Sequence, residues 1–167
     1  DNGVLMGRAT ASISRAEAMT ILGRIQGKGY VTQSLTFSDA ASVPAWSLPY
    51  VESLVGQGII SGYDNQLRPN DSVTRAEVAT IFLPLLTDES RDAFWSQTND
   101  YTDVPADAWY NNAVSTLSNA GILNGYEDGT FRPTGTLSGN AFMKMLLGAL
   151  GYDSSCLLYT SDAADDK

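Results

Sequence analysis

Hydrophobic residues recur at helical spacing in five stretches of the chain, and this pattern predicts an all-α fold. Two of the stretches are amphipathic and precede a glycine that can stop a helix: 45–55 before Gly58, and 108–119 before Gly121. The other three are apolar on nearly every face, which predicts helices packed against one another in a centre: 16–25, 76–86 and 141–150.

Two of these central helices begin with a capping-box pattern. Ser14 is followed three residues later by Glu17, and Thr74 by Glu77. In such a box the hydroxyl accepts the backbone proton of the glutamate, and the carboxylate accepts that of the hydroxyl residue. Pro84 lies near the end of the second helix, where its missing N–H should kink or end the helix.

The chain also contains an internal repeat. The segment Gly-Ile-Ile-Ser-Gly-Tyr at 58–63 returns as Gly-Ile-Leu-Asn-Gly-Tyr at 121–126, and the Arg-Pro pair that begins at Arg68 returns at Arg132. One additional residue within 40–45 of the first copy and one in the Asp-Gly turn at Gly129 of the second account for the small changes of offset. A shorter copy, without its front half, opens the chain. The recurrence indicates a repeat architecture with two complete units and one incomplete unit.

The repeat divides the chain into the C-terminal half of repeat 1 at 1–27, a linker at 28–36, repeat 2 at 37–87, a linker at 88–100, repeat 3 at 101–153 and a disordered tail at 154–167. In the second linker, Phe94 and Trp95 are expected to dock the connection onto the core. Residues 156–167 have no counterpart in the repeats and resemble translated read-through of a sequencing-library adapter, so we exclude them from the fold. Because the chain starts abruptly without Met, we expect it to be a cut fragment, with any export signal lost upstream.

Composition narrows the chemistry that the chain can perform. Its 167 residues include 10 Lys and Arg, 19 Asp and Glu, no His and one Cys, for a formal net charge of -9. Without His there is no imidazole acid or base, and Cys156 alone cannot build a thiolate metal site. An acidic chain with scattered cations is a poor partner for nucleic acid or an anionic membrane. We therefore expect no metal, no cofactor, no nucleic-acid partner and no membrane insertion.

The acidic loop at 127–129 invites comparison with a calcium-binding loop. Asn124, Asp128 and Gly129 fit the EF-hand pattern only loosely, because Tyr126 takes a ligand position and no glutamate closes the loop. An Asp-Gly turn explains these residues without a metal.

Three strings at repeat spacing resemble the S-layer homology domain: Tyr-Thr-Asp-Val-Pro-Ala-Asp-Ala-Trp-Tyr at 101–110, Gly-Ile-Leu-Asn-Gly-Tyr-Glu-Asp-Gly-Thr-Phe-Arg-Pro at 121–133 and Val-Thr-Arg-Ala-Glu at 73–77. The resemblance covers about residues 3–25, 37–86 and 101–152. It implies three tandem repeats, the first truncated, in a pseudo-trimeric bundle. Each repeat would contribute one central helix to the bundle and one peripheral helix-loop prong.

The same resemblance implies a function. The family anchors S-layer and other surface proteins to the bacterial envelope by binding secondary cell-wall polysaccharide, a peptidoglycan-linked glycan that is typically pyruvylated. The chain is therefore expected to be an extracellular, non-catalytic module of the cell wall or S-layer. It is also expected to be a monomeric pseudo-trimer whose grooves hold the glycan.

Arg15 and Arg75, in the Arg-Ala-Glu strings, are the first candidate glycan-binding residues. Each follows an N-cap in the first helical turn, where the helix dipole disfavours a cation by some tenths of a kcal/mol up to about 1 kcal/mol. A ligand carboxylate held by the guanidinium and by free first-turn amides would offset this cost. The structural alternative is an ion pair with a neighbouring acid such as Asp39 or Asp103. The resemblance favours ligand binding.

Trp46 and Trp109 begin the amphipathic helices and are candidates for sugar contacts. A tryptophan on an apolar helix face usually belongs to a core, whereas in the resembled family the matching ring helps to line the glycan groove. Asp39 and Asp103 each lie two residues after an aromatic residue. They could cap the next turn or accept hydrogen bonds from sugar hydroxyls, and we expect a mixed role.

Gly62 and Gly125 complete the candidate glycan-binding positions. A glycine at such a position permits either a left-handed turn or the close approach of a ligand. The third copy departs from the pattern, because Gly139 begins a Gly-Asn-Ala string in place of Arg-Ala-Glu. It should lack both the guanidinium and the capping glutamate, which leaves at most two arginine-based grooves.

Two other functions remain open on the sequence alone. The 19 acidic residues allow a carboxylate-pair glycosidase that acts on wall glycan. Against this, Asp39 and Asp103 recur with the repeat, which suits repeated binding surfaces better than one asymmetric catalytic centre. A repeat array could also serve as a protein-interaction surface or a spacer.

Overall fold

The computed structural model describes residues 10–26 and 33–150. The helices are Arg15–Gln26 (α1), Leu48–Gly56 (α2), Arg75–Phe82 (α3), Asp88–Phe94 (α4), Asn111–Asn119 (α5) and Gly139–Leu150 (α6), with short 3-10 helices at Ala40–Ser42 and Leu83–Leu85. The described residues form isolated β-bridges but no strand, which confirms the all-α prediction. In the same part of the chain, every helix is too short or too polar to cross a membrane.

Some predictions lie outside the described residues. They concern the start of repeat 1 at 1–9, the middle of the first linker at 27–32, and the end of repeat 3 with the tail at 151–167. These stay predictions.

The described chain forms two compact units. Unit 1 contains residues 10–26, 33–73 and 138–142, and unit 2 contains 74–137 and 143–150. In unit 1 the Arg-Ala-Glu helix α1 of repeat 1 shares a compact body with the loop of repeat 2. In unit 2 the Arg-Ala-Glu helix α3 of repeat 2 shares a compact body with the loop of repeat 3. Each unit therefore combines the helix of one repeat with the loop of the next.

In unit 1, α1 packs against α2. The approach is close because Gly23 has no side chain, and a Cβ built there would lie 2.6 Å from the Cβ of Tyr50. The guanidinium carbon of Arg24 lies 5.5 Å from the centre of the same ring. The buried apolar residues of this unit include Ile13, Ala16, Met19, Leu22, Val51, Leu54, Leu67 and Val73.

In unit 2, α5 packs against α3 and α4. Helix α3 is buried on nearly every face, as the apolar pattern predicts: Arg75, Ala76, Glu77, Val78, Ala79, Ile81 and Phe82 are all buried. It ends at Phe82, and Pro84 lies in the 3-10 helix that follows. The early stop predicted at Pro84 is therefore confirmed.

Both predicted capping boxes are confirmed. At α1 the backbone N of Ser14 donates to Oε1 of Glu17 at 2.8 Å, and the N of Glu17 donates to Oγ of Ser14 at 3.1 Å. At α3 the same two bonds join Thr74 and Glu77, at 2.8 and 3.2 Å. Each box satisfies two backbone donors that the helix itself leaves without an acceptor.

The two amphipathic helices begin later than the hydrophobic pattern predicts. Turns precede them: the N of Ser47 donates to the carbonyl of Pro44 at 2.9 Å, and the N of Ala108 donates to that of Pro105 at 3.0 Å. In each case the proline carbonyl accepts the bond that closes the turn before the helix begins. These turns therefore take up the residues that periodicity alone assigned to the first helical turn.

The second linker contains α4, a helix that the hydrophobic pattern does not predict. Its signals are polar and local. The side chain of Thr87 accepts a hydrogen bond from the N of Ser90 at 3.1 Å, and Asp88 and Glu89 lie in the first turn, where the helix dipole favours acids.

The expected docking of this linker by Phe94 and Trp95 is wrong for Trp95, which is 50% exposed. Hydrogen bonds to α5 hold the linker instead. Nδ2 of Asn119 donates to the carbonyl of Phe94 at 3.0 Å, and the N of Ser96 donates to Oγ1 of Thr116 at 3.0 Å. The linker-facing residues of α5 are polar, so backbone and side-chain bonds replace apolar contact.

Candidate functional site

Each unit has a tight hairpin in the loop after its amphipathic helix. In unit 1, Tyr63 and Gln66 exchange two backbone hydrogen bonds of 2.9 Å, and Asp64 and Asn65 between them have φ of 51° and 58°. The unit 2 hairpin has one more residue and contains Gly129 at φ 86°. Both are favoured hairpin geometries for their loop lengths. The additional residue predicted at Gly129 is confirmed.

An aspartate holds the segment that follows each hairpin. Oδ1 and Oδ2 of Asp39 accept hydrogen bonds from the backbone N of Leu67 and Arg68, at 2.9 and 2.7 Å. Asp103 accepts the two matching amides of repeat 3, both at 2.8 Å. Arg68 has φ 49° and the matching Arg132 has φ 59°. A left-handed non-glycine residue costs on the order of 1 kcal/mol, and the carboxylate offsets this strain.

These hydrogen bonds also set the ionisation of Asp39. Desolvation raises the pKa of Asp39, but the amide hydrogen bonds and the charge of Arg15 outweigh it, so its pKa lies below the ordinary value of 3.8. The expected cap on the next turn is wrong for Asp39, because the 3-10 helix Ala40–Ser42 receives no side-chain cap. The carboxylate bonds instead to a loop far along the chain.

Asp39→Asn is expected to lower the free energy of unfolding by about 1–2 kcal/mol at neutral pH, because one amide loses its acceptor and the charge is lost. The stabilisation by a depressed pKa is complete above 3.8 and is lost as pH falls through the folded-state pKa. Urea unfolding should therefore separate wild type and variant at about pH 7, and the difference should shrink as pH falls below 3.8 through the folded-state pKa.

The control for this prediction is Asp92→Asn, which removes the same charge from an exposed position of α4. It should change stability by less than about 0.5 kcal/mol. An Asp39→Asn variant as stable as this control would contradict the role assigned to the carboxylate.

The segment held by each aspartate in turn holds an arginine of an Arg-Ala-Glu helix. Nε of Arg15 donates to the carbonyl of Leu67, and Nε of Arg75 donates to that of Phe131, both at 2.7 Å. Both arginines are buried, at 7% and 5% exposure. The aspartate and the arginine of each site are thus linked through the backbone of the loop.

Further contacts hold the guanidinium of Arg75. Its Nη2 donates to the carbonyl of Asn124 at 2.7 Å, and its central carbon lies 4.4 and 5.0 Å from the ring centres of Phe131 and Tyr126. Burial lowers the pKa of Arg75 and outweighs the opposing influence of its tyrosine and aspartate neighbours. None of the described carboxylates lies within ion-pair distance of Arg75, so the structural alternative, an ion pair with Asp103, does not form.

The first-turn amides of the Arg-Ala-Glu helices are already occupied. The N of Arg75 donates to the carbonyl of Gly135 at 2.8 Å, and the N of Ala76 donates to that of Pro133 at 3.0 Å. The corresponding amides of α1 donate to loop carbonyls at 2.9 and 2.8 Å. The expectation that a ligand carboxylate shares these amides is therefore wrong, because the loop of the next repeat uses them.

Both candidate tryptophans lie in the turns before α2 and α5 and are exposed. Trp46 is 38% exposed and Trp109 is 68% exposed, so the core alternative is wrong. The ring of Trp109 contacts Tyr110 edge to face, with centres 5.2 Å apart. Burial and the nearby charge of Asp103 raise the pKa of Tyr110. The exposed indoles offer faces on which a sugar can stack.

Gly62 and Gly125 are both required by close packing within the chain. Gly62 has φ 71°, and a Cβ there would lie 2.7 Å from Cε1 of Phe37. Gly125 does not have a positive φ, but a Cβ there would lie 2.2 Å from Cε1 of Tyr101 and 2.8 Å from the carbonyl oxygen of Thr130. The left-handed turn is confirmed at Gly62 and wrong at Gly125.

The third copy keeps only the hydroxyl half of the cap. The N of Ala141 donates to Oγ of Ser138 at 3.1 Å, and residue 141 has no carboxylate to return the bond. The N of Gly139 donates to the carbonyl of Ala11 at 3.2 Å, so the backbone pattern of the other copies persists. A guanidinium is missing at this position, because glycine stands there.

Sequence reasoning misses several residues of the unit 2 site. These are Phe131, which supplies a carbonyl and a ring, Tyr126, and Arg132, whose guanidinium carbon lies 3.7 Å from the centre of the Tyr126 ring. Tyr126 and Arg132 recur with the repeat, which was the available signal. Recurrence alone does not separate a turn residue from a contact residue.

The acidic loop of unit 2 has a local explanation. Oδ1 of Asp128 accepts hydrogen bonds from N and Oγ1 of Thr130 at 3.0 and 2.6 Å, and the hydroxyl contact lowers the pKa of Asp128. Among residues 10–26 and 33–150, no three His, Cys, Asp or Glu side chains are grouped so that they could hold a metal ion.

Comparison with known proteins matches the repeats to one family. Residues 36–79 and 100–140 match the model of the S-layer homology domain. The chain is 33% identical over 138 residues to cell surface glycoprotein 1 of Acetivibrio thermocellus, covering 75% of this chain and 6% of that protein. It is 29% identical over 133 residues to the cellulosome-anchoring protein of the same organism, covering 75% of this chain and 29% of that protein.

Some similar proteins are named as enzymes. The chain is 32% identical over 98 residues to endo-1,4-beta-xylanase A of Thermoanaerobacterium saccharolyticum, covering 58% of this chain and 8% of the enzyme. The chain thus spans less than a third of each of these three relatives.

Proposed function

Because the chain belongs to the S-layer homology domain family, we propose that it is a non-catalytic module that anchors a surface protein to the bacterial cell wall. Relatives named as a cell surface glycoprotein, a surface-layer protein and a cellulosome-anchoring protein support this role and confirm the cell-surface location for the family. The proposed partner is the secondary cell-wall polysaccharide, a peptidoglycan-linked glycan. The proposed bound group is the carboxylate of a pyruvate ketal.

One observation carries this proposal: Arg75 is a buried cation that has no acidic partner among the described residues. Moving a cation out of water is costly unless an anion or hydrogen-bond acceptors compensate. Two carbonyls and two aromatic rings compensate Arg75 in part. A ligand carboxylate would complete the set, since it matches the planar fork of a guanidinium.

The other candidate residues take supporting roles in this proposal. In unit 2 the glycan-binding set is Arg75, Trp109, Asp103 and Gly125. In unit 1 the matching set is Arg15, Trp46, Asp39 and Gly62. The arginine binds the carboxylate, the tryptophan stacks on a sugar, and the aspartate and glycine shape the loop against the arginine. The third copy, with Gly139, adds no guanidinium, so the described residues provide at most two such sites.

A carboxylate-pair glycosidase is a poorer fit to Asp39 and Asp103. Each carboxylate already accepts two backbone amides. The pKa of Asp39 is lowered, whereas a general acid on a glycosidic oxygen needs a raised pKa. The match to the xylanase covers only 8% of that enzyme, so it does not assign catalysis to this chain.

We also propose that α1, α3 and α6 form the pseudo-trimeric bundle of a monomeric chain. Three isolated bridges support this arrangement: Ser14 with Ser72, Thr74 with Thr136, and Ser138 with Ser12. Each bridge joins the segment before one of these helices to the segment before another.

Co-sedimentation with purified cell walls tests the function. We expect binding to intact walls, loss of binding after chemical removal of the secondary polysaccharide, and weaker binding after mild acid removes the pyruvate ketals. Binding that survives removal of the polysaccharide would contradict the proposal and favour a protein-interaction surface. Release of reducing sugar from the walls would favour the glycosidase.

A further inference from the structure

The two units differ around the second arginine of their loops. Arg132 and Arg68 occupy the same repeat position, each before a proline and with positive φ. The guanidinium carbon of Arg132 lies 3.7 Å from the ring centre of Tyr126, and that of Arg75 lies 5.0 Å from the same centre. Arg68 instead places Nη1 3.7 Å from Oδ2 of Asp71. Two cations therefore meet at one tyrosine in unit 2.

Two sequence differences between the copies account for this. Unit 1 has Asp71 where unit 2 has Gly135, a correspondence shown by their carbonyls, which each accept the first amide of an Arg-Ala-Glu helix. Unit 2 has Asp128 in its hairpin where unit 1 has Asn65. Each loop arginine thus contacts an acid of its own copy, Arg68 with Asp71 and Arg132 with Asp128.

Arg132 retains donors for another anion. Its contacts to Oδ2 of Asp128 and Oγ1 of Thr130 are 3.4 and 3.3 Å, both long for hydrogen bonds. Its side chain is 53% exposed. A guanidinium has five N–H donors, so these two contacts leave most of its capacity unused.

Unit 1 presents a different surface at the matching place. Tyr63 is 77% exposed, and among the described residues no guanidinium lies over its ring. In unit 2, Tyr126 is 41% exposed and carries both arginines. Stacking on an aromatic face orients a guanidinium in advance of binding, which lowers the entropy cost of engaging a ligand.

We propose that Arg132 forms a second anion subsite in unit 2, and that the glycan recognised there carries a second acidic group beside the carboxylate bound by Arg75. The inference rests on the proposed function, because Arg75 supplies the first subsite. The two guanidinium carbons can be no further apart than the sum of their distances to the Tyr126 centre. Acidic groups on one sugar or on adjacent sugars can reach both. A uronate carboxylate and a phosphate both suit a guanidinium.

The test is an NMR titration of the full chain at low salt. The probes are a saccharide with one pyruvate ketal, the same saccharide with an adjacent uronate, and the same saccharide with a phosphate. The amides of Gly129 and Asn65 report on units 2 and 1 separately. We expect unit 2 to bind one or both dianionic probes about fivefold more tightly than the monoanionic probe, and unit 1 to show no such preference. The preference should shrink in about 1 M salt.

Variants then assign the effect to Arg132. Arg132→Gln should reduce the preference of unit 2 for a dianionic probe to parity. Arg68→Gln removes the same charge at the matched backbone position and should leave that preference in place.

The outcomes separate this inference from the proposed function. Equal binding of all probes by unit 2, or a preference that survives Arg132→Gln, overturns the second subsite and leaves the anchoring function standing. A preference lost equally in Arg68→Gln also overturns it, because bulk charge then explains the effect. Failure of every probe to bind overturns both proposals.

Discussion

Arg75→Ala is expected to weaken binding to purified cell walls by about 10- to 150-fold, which corresponds to about 1.5–3 kcal/mol for a lost charge-assisted contact. The guanidinium is the buried cation of unit 2, and the first-turn amides around it already donate to loop carbonyls. Alanine therefore removes the guanidinium, and no first-turn amide is available to replace it. The measurement is the dissociation constant from co-sedimentation with intact walls.

Stability must be followed in the same experiment. Arg75 donates to the carbonyls of Phe131 and Asn124, so its removal should also lower the free energy of unfolding by about 1–3 kcal/mol. From the sequence alone, the Arg75→Ala substitution would be expected to leave the fold intact. Circular dichroism melting at the binding temperature establishes that the variant is folded when its affinity is measured.

Two further variants make the result specific. Arg75→Lys keeps the charge but not the planar fork, and it should bind with an affinity between those of wild type and Arg75→Ala. Arg91→Ala removes a charge of the same sign from α4, where Arg91 pairs with Asp88 at the surface, and it should bind like wild type. A folded Arg75→Ala variant with wild-type affinity would refute the role assigned to Arg75.

Gly125→Ala is expected to lower the free energy of unfolding by about 2–3 kcal/mol, and the melting temperature by about 5–10 °C. The added Cβ would lie 2.2 Å from Cε1 of Tyr101 and 2.8 Å from the backbone oxygen of Thr130. The backbone oxygen cannot move without opening the hairpin closed by the bond between the N of Tyr126 and that same oxygen, at 2.8 Å. Because Tyr126 lies beneath Arg75, wall binding should weaken as well.

Gly121→Ala is the matched control for this prediction. Gly121 has φ 77°, but a Cβ there meets nothing within 4 Å. Its substitution should therefore cost only the backbone strain of about 1 kcal/mol and should leave wall binding unchanged. If Gly125→Ala proves no more destabilising than Gly121→Ala, close packing at Gly125 is not what the fold requires.

Elements with local causes could be predicted from the sequence. The capping boxes at Ser14 and Thr74 act within one helical turn, and Pro84 removes a donor at its own position, so each was correctly placed. The hairpin in repeat 3 gained its extra residue at Gly129, as the offset indicates. Helix α4 was missed because its signals are a threonine cap and acids in a short polar stretch, while the prediction followed hydrophobic periodicity.

The site could be predicted only in part. Recurrence and family resemblance identified Arg75 and Asp103 as candidate site residues. They did not predict how the two side chains are connected. Asp103 reaches Arg75 through the backbone of Phe131 instead of pairing with it. The Arg75 to Phe131 bond spans 56 positions of the chain. Every residue has a backbone carbonyl, so no residue type in the sequence identifies the carbonyl that will accept this hydrogen bond.

The sequence by itself determined the helical class, the repeat, the caps, the loss of the arginine at Gly139 and the net acidity of the chain. Those features depend on residue identity and on neighbours within a turn or two. The tertiary structure decided that loop carbonyls occupy the first-turn amides, that the indoles of Trp46 and Trp109 are exposed, and that Arg132 joins Arg75 at Tyr126. Those features depend on which groups of one repeat come close to the loop of the next. Only the packing of the folded chain sets the distances between those groups.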